Sequence, residues 1–112
     1  MNQPHTDSLL AQYYSWARLK LRLDGELAHD GLGFEELAIL NLLEDEAGMS
    51  LFTLGEEMGL SAGAMLQKLK PLEKIGLVRF EGELKQRRII RTQSGGRLLR
   101  AGRTSVEELT GR

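Results

Sequence analysis

Basic side chains are concentrated in one short stretch of this sequence. They are Arg79, Lys85, Arg87, Arg88 and Arg91. Lysine and arginine at this density can neutralise phosphates along a nucleic-acid backbone and release the counterions condensed there. The same stretch predicts a β-hairpin, with strands over 77–80 and 87–92 and a turn at Glu81-Gly82-Glu83. The alternative is an ordinary solvated hairpin that binds no anion.

The distribution of charge along the chain also points to a polyanion. Residues 1–60 carry three basic and eleven acidic side chains, a net charge of −8, whereas residues 61–112 carry twelve and five, a net charge of +7. Such an asymmetry suggests an anionic partner for the basic half. Ion pairing between the two halves of the same chain is the competing explanation.

Other kinds of site have little support in the sequence. There is no cysteine, and His5 and His29 lie far apart, so neither a metal site nor a cysteine nucleophile is expected. The acidic runs 44–46 and 56–57 are typical of solvated helix surface. We find no nucleophile–base pair and no glycine loop for phosphates, so we expect no enzyme activity and no cofactor. No apolar run reaches the roughly 18–20 residues that span a bilayer, and residues 1–8 do not resemble a signal peptide. We therefore expect a cytoplasmic protein with no membrane partner.

Two short helices separated by a tight connection precede the hairpin. We predict helices over 53–58 and 62–75, joined at Gly59-Leu60-Ser61, with Ser61 as the N-cap of the second helix. The second helix would turn Met65, Leu69 and Leu72 inward and end at Gly76. Helix, turn, helix and hairpin follow one another in the order of a winged helix-turn-helix. The second helix of that motif fits the major groove of double-stranded DNA.

Longer helices flank this central part. We predict a first helix capped by Thr6 or Asp7 and running to about residue 27, a second over 34–46 and a last one over 94–109. The apolar stripe of the first helix is wider than one buried face requires, which indicates a second subunit or a central place in a single core. We expect a mainly α fold with a small β-hairpin wing (α+β). The chain would be a single winged helix domain over 1–112, with a dimerisation helix over 1–32, a core over 33–93 and a C-terminal helix over 94–112.

These features together resemble the MarR family of transcriptional regulators. The resemblance rests on Leu60-Ser61, on the run from Leu69 to Val78 (LKPLEKIGLV), on Thr92-Gln93-Ser94-Gly95 after the arginines, and on Leu23-Asp24 with the leucines that follow. It implies a homodimeric DNA-binding regulator, in many members a repressor released by a small aromatic ligand. It also implies that the first and last helices build the dimer interface.

The resemblance assigns site residues by position. The DNA-reading face of the recognition helix would comprise Ser61, Ala62, Gly63, Leu66, Gln67 and Lys70. The wing contacts would be Lys85, Arg87 and Arg88. Dimerisation would involve Leu9, Tyr13, Trp16 and Leu23. An effector pocket could include Tyr13, Tyr14, Trp16, Arg18 and His29, although packing in the core or the dimer would also explain these aromatic residues.

The sequence departs from the family pattern at several positions. Leu66 and Gln67 stand where a small polar residue and an arginine are usual; Gln67 can still contact adenine, and Leu66 a thymine methyl group. Pro71 predicts a kink or an early end of the helix near Lys70. The wing tip has residues 83–85 where Asp-x-Arg is usual. The chain stops after one C-terminal helix, so either dimerisation would rest mainly on the first helix or the interface would differ from that of the family. A winged helix that binds proteins and has lost sequence-specific DNA binding is the alternative function.

Overall fold

The computed structural model describes residues 3–43, 47–83 and 87–111. Five α-helices and three strands follow one another along the described chain. They are α1 (Gln3–Leu27), α2 (Phe34–Leu42), β1 (Met49–Ser50), α3 (Leu51–Met58), α4 (Ala62–Lys74), β2 (Val78–Glu81), β3 (Arg88–Arg91) and α5 (Gln93–Thr110), with a 3-10 turn at Ala28–Asp30 after α1. The expected mainly α fold with a small hairpin wing is confirmed.

The three strands form one antiparallel sheet in the order β1-β3-β2. The predicted hairpin is β2 and β3, paired with Phe80 opposite Ile89. Met49 and Ser50 of β1 pair with the edge of β3 that faces away from β2. The sequence contains no local signal for this pairing, because β1 and β3 are separated by two helices. Residues 84–86, which include Lys85, lie outside the described part of the chain.

The core lies between the sheet and the helices, and the end of α1 contributes the completely buried Leu27 to it. The buried cluster draws Leu37, Ile39 and Leu40 from α2 and Leu54 from α3. Met65, Leu69 and Leu72 of α4 are buried as predicted. Because each buried leucine or methionine contributes about 1.5–3 kcal/mol, this cluster fixes the position of α4 relative to the hairpin.

Side-chain caps start three of the helices. The predicted Ser61 cap of α4 is present, since its Oγ accepts a hydrogen bond from the Ala64 N–H at 3.2 Å. Helix α3 begins two residues earlier than predicted because Ser50 caps it, accepting from the Thr53 N–H at 3.1 Å. Thr92 caps α5 in the same way, accepting from the Gly95 N–H at 3.0 Å. Each such cap stabilises its helix by about 1 kcal/mol.

Helix α2 ends earlier than predicted. It stops at Leu42, and Leu43 is extended and completely buried in the core. Arg91 of β3 donates to the Leu40 carbonyl at 3.0 Å and so satisfies a backbone acceptor at this helix end. The predicted extension over 44–46 would have placed three acidic side chains at the negative end of the helix dipole, which is unfavourable. Those three residues themselves lie outside the described part of the chain.

Pro71 does not end helix α4. We predicted a kink or an early end near Lys70, and the early end is wrong, since α4 continues to Lys74. Proline lacks a backbone N–H, but the Pro71 carbonyl still accepts from the Ile75 N–H at 3.2 Å, so Pro71 takes part in the helical hydrogen bonding as an acceptor. Burial of Leu69 and Leu72 on either side of Pro71 outweighs the roughly 3 kcal/mol that proline costs inside a helix.

Asp24 connects α1 to α2. Its carboxylate accepts from the Phe34 N–H at 2.7 Å and from the Lys20 ammonium at 2.8 Å. The hydrogen bond from Lys20, together with that from Phe34, lowers the pKa of the Asp24 carboxyl. The Trp16 ring packs edge-on against Phe34, with centroids 5.7 Å apart.

None of the described helices has both the length and the apolarity that crossing a membrane requires.

Candidate nucleic-acid interface

Helix α4 presents a polar face opposite its buried stripe. Gly63, Gln67, Lys70 and Lys74 follow one another at i, i+4, i+7 and i+11 and are all exposed. Lys74 was absent from the predicted set, although its helical spacing from Gln67 would have revealed it. The other lysine of the helix, Lys68, points elsewhere and pairs with Glu35 of α2 at 2.9 Å.

The first turn of α4 carries almost no side-chain bulk. Ser61, Ala62 and Gly63 are exposed as predicted, and the Ser61 hydroxyl is occupied by its capping bond. A Cβ added at Gly63 would meet open space, so nothing in the described chain covers this turn. Leu66 is only half-exposed, and less of its side chain is accessible than the sequence pattern suggested. A polyanion or a groove edge can therefore approach the backbone at this end of the helix closely.

Arg88, predicted as a wing contact, holds the wing to the body of the domain. Its Nε and Nη2 donate to the carbonyls of Ala47 and Gly48, both at 3.0 Å. These two bonds tie β3 to the segment that leads into β1. The side chain remains exposed, so it can also meet a phosphate, but its orientation is set by these carbonyls. Sequence spacing carries no signal for this contact.

The remaining arginines of the hairpin also have partners within the chain. The Arg87 guanidinium lies over the Phe80 ring, 5.2 Å from its centroid, and its buried Nε has no hydrogen-bond partner among the described residues. Arg79 pairs with Glu81 at 2.9 Å. Arg91 also donates to the Leu40 carbonyl of α2. The arginines of the hairpin therefore both give the wing its positive charge and hold it in place through contacts within the chain.

An apolar face of α1 is left uncovered. Leu9, Tyr13 and Trp16, predicted for dimerisation, lie at i, i+4 and i+7 and are 54%, 65% and 42% exposed. Leu10, Tyr14, Leu19 and Leu21 are also exposed. Leu23 differs from this group, because it is only 3% exposed within the chain. The assignment of Leu23 to a subunit interface is therefore corrected: it packs within its own chain.

A groove of about 260 Å³ lies between α2 and α5. Phe34, Leu37, Ala38, Asn41 and Arg103 line it. Arg103 donates to the Asn41 side-chain oxygen at 3.1 Å. Its guanidinium therefore lies beside the apolar part of the groove, which Phe34 and Leu37 line. The structure does not gather the five residues suggested for an effector pocket. Trp16 reaches this region through Phe34, while Tyr13 and Tyr14 contact each other on the outside of α1.

Metal binding has no support in the part of the chain that the structure describes. No group of three or more histidine, cysteine, aspartate or glutamate side chains is placed there to hold a metal ion.

Residues 36–79 match the family model described as winged helix-turn-helix DNA-binding. This segment covers most of α2, all of β1, α3 and α4, and ends within β2. No curated protein sequence matches the chain.

Solved structures match nearly the whole chain. A MarR-family transcriptional regulator from Rhodococcus sp. RHA1 has a TM-score of 0.86 at 22% identity, over 96% of this chain and 79% of that one. The M. tuberculosis transcriptional regulator MOSR in complex with DNA has a TM-score of 0.80 at 17% identity, over 90% and 79%. CouR from Rhodococcus jostii RHA1, bound to p-coumaroyl-CoA, has a TM-score of 0.79 at 25% identity, over 93% and 73%.

These matches agree with the order of elements and with the motifs in the sequence. The first two of these structures are described as transcriptional regulators. The resemblance drawn from the sequence is confirmed: the chain is a winged helix-turn-helix protein with the fold of the MarR-family transcriptional regulators.

Proposed function

We propose that this protein is a cytoplasmic, DNA-binding transcriptional repressor that acts as a homodimer. In this proposal α4 enters the major groove and the wing lies along the backbone or in the minor groove. The exposed face of α4 carries the proposal, because it combines a bare first turn with Gln67, Lys70 and Lys74 on a helix anchored by the core. MOSR, which has this fold, was solved in complex with DNA.

The uncovered face of α1 supports the dimer. Large apolar side chains exposed in one contiguous stripe are unusual for a monomer and mark an interaction surface. Residues 1–32 with 94–112 would form the dimer interface, and 33–93 the DNA-binding part. A two-fold dimer would present two copies of α4 to half-sites about one helical turn apart.

Salt-dependent binding of duplex DNA tests the proposal. Genomic fragments bound by the purified protein would be enriched at low salt, and one bound duplex titrated with salt by fluorescence anisotropy. We expect the logarithm of the association constant to fall linearly with the logarithm of the salt concentration, because bound phosphates release counterions. Failure to bind any duplex at low salt would contradict the proposal and favour the protein-binding alternative.

Repression and an effector belong to the same proposal. The α2–α5 groove, with Arg103 beside an apolar floor, suits a small aromatic acid or its thioester, and CouR was solved with p-coumaroyl-CoA bound. We expect aromatic acids or their CoA thioesters to raise the melting temperature of the wild type and to release it from DNA. Arg103→Ala should lose both effects while still binding DNA. If none of the screened aromatic acids or thioesters raises the melting temperature, the proposed effector class is contradicted. If the protein increases the expression of a reporter gene that carries the selected DNA site, repression is contradicted.

A further inference from the structure

We infer that Gln67 is the residue through which α4 discriminates between base pairs, and that it selects an A·T pair in each half-site. The inference rests on the proposed DNA binding and names the class of sequence that would be bound. Gln67 is exposed on the outer face of α4, opposite the buried Met65 and Leu69. No arginine is present anywhere in the helix.

The other side chains of the face are less suited to reading a base. Residues near the N-terminus of a recognition helix reach base edges, but there the Ser61 hydroxyl is committed to its cap, and Ala62 and Gly63 offer no polar side chain. Leu66 is half-buried and can contribute only an apolar contact. Lys70 and Lys74 lie one and two turns further along, where their flexible ammonium groups suit backbone phosphates better than base edges.

The amide of Gln67 matches adenine and mismatches guanine. Its carbonyl oxygen can accept from adenine N6 while its NH₂ group donates to N7. Guanine presents two acceptors, O6 and N7, so the amide oxygen would face O6 without a donor. The open space at Gly63, one turn before Gln67, lets the helix sit close enough for this bidentate contact.

Selection from a random duplex library tests the inference with four proteins: the wild type, Gln67→Ala, Gln67→Arg and Lys70→Ala. We expect the wild type to require A·T at one position of each half-site. In Gln67→Ala the preference for A·T should fall about 5- to 150-fold at that position alone, the change that corresponds to ~1–3 kcal/mol for a bidentate pair. Gln67→Arg should replace the preference by G·C.

Lys70→Ala is the matched control from the same face. It should weaken binding to all duplexes by a similar factor and retain the base preferences. The slope of the logarithm of the association constant against the logarithm of the salt concentration should become smaller by about one. Two results would overturn the role of Gln67 while leaving DNA binding intact. One is that the wild type selects G·C instead of A·T at that position of the half-site, and the other is that Gln67→Ala keeps the wild-type base preference. No binding by the wild type to any duplex would overturn both the inference and the proposed function.

Discussion

The Asp24 carboxylate joins two helices through a backbone N–H that lies ten residues further along the chain. It accepts from the Phe34 N–H at the start of α2, where Gly33 at the N-cap position makes no side-chain cap. An acceptor from another helix thus performs the task that Ser50, Ser61 and Thr92 perform for their own helices. The same carboxylate pairs with Lys20 on the half-exposed surface of α1.

Replacing Asp24 should therefore separate these two roles. We expect Asp24→Ala to reduce the free energy of unfolding by about 1–2 kcal/mol at neutral pH, because the Phe34 N–H loses its acceptor. Lys20→Ala should cost no more than about 0.5 kcal/mol, since the ion pair is partly exposed. Urea denaturation measures both. Asp7 is not the N-cap that we predicted, because α1 already includes Gln3, so Asp7→Ala at this exposed carboxylate is the control. Equal losses in Asp24→Ala and Asp7→Ala would contradict the role of Asp24.

The pH dependence of this stabilisation follows from the lowered pKa of Asp24. The carboxylate stabilises the fold fully above its ordinary pKa of 3.8, and the contribution is lost as the pH falls through the lowered value in the folded state. We expect the stability difference between wild type and Asp24→Ala to shrink when the pH is lowered below 3.8. A difference that stays constant or grows on acidification would contradict this assignment.

At the scale of elements, α4 contains a proline that disfavours a helix, while burial of the neighbouring leucines favours it. Pro71 is exposed, so its ring contributes little to the core, yet it leaves the Gln67 carbonyl without its helical donor. We expect Pro71→Ala to stabilise the protein by about 1–2 kcal/mol. The restored hydrogen bond outweighs the roughly 0.4–1 kcal/mol that proline contributes by restricting the unfolded chain. Thermal unfolding measures the change, and a lower melting temperature for Pro71→Ala than for the wild type would contradict it.

Two helical glycines differ sharply in their surroundings. A Cβ at Gly95 would collide with the Leu77 carbonyl, where α5 begins against the start of the wing, whereas a Cβ at Gly63 would meet nothing. We expect Gly95→Ala to destabilise the fold by about 2 kcal/mol or more, because backbone must move. Gly63→Ala should be neutral or stabilising by up to about 1 kcal/mol. Chemical denaturation of the pair tests this, and similar effects for both would show that α5 does not require its close approach to Leu77.

At the scale of the whole molecule, the exposed apolar face of α1 is the surface through which we expect two copies of the chain to form a dimer. We expect the wild type to sediment as a dimer and Tyr13→Glu to sediment as a folded monomer, because Tyr13 is exposed within its own chain and a buried charge would destabilise the interface. Ile75→Glu, at an exposed apolar residue after α4, should leave the mass unchanged. A monomeric wild type, or a dimeric Tyr13→Glu, would contradict the proposed interface.

The wing shows where sequence patterns stop being informative. The strands and their turn follow from two short strand-forming runs on either side of Glu81-Gly82-Glu83, which are local properties of the chain. The partners of Arg88 and Arg91 lie about 40 and 51 residues away, and no local spacing encodes contacts that only the folded sheet creates. Five basic residues in one stretch were therefore interpreted as charge for a phosphate backbone, whereas two of them bind backbone carbonyls of their own chain.

The sequence by itself determined the order of elements, the Ser61 cap, the inward stripe of α4 and the winged helix-turn-helix class. These depend on periodicity and capping, which act over a few residues. Tertiary structure alone decided that α4 runs through Pro71, that α2 ends at Leu42, that Leu23 is buried and that Arg88 fastens the wing. Each of these outcomes is set by burial or by a contact between distant segments, whose free energies exceed the local preferences that sequence patterns measure.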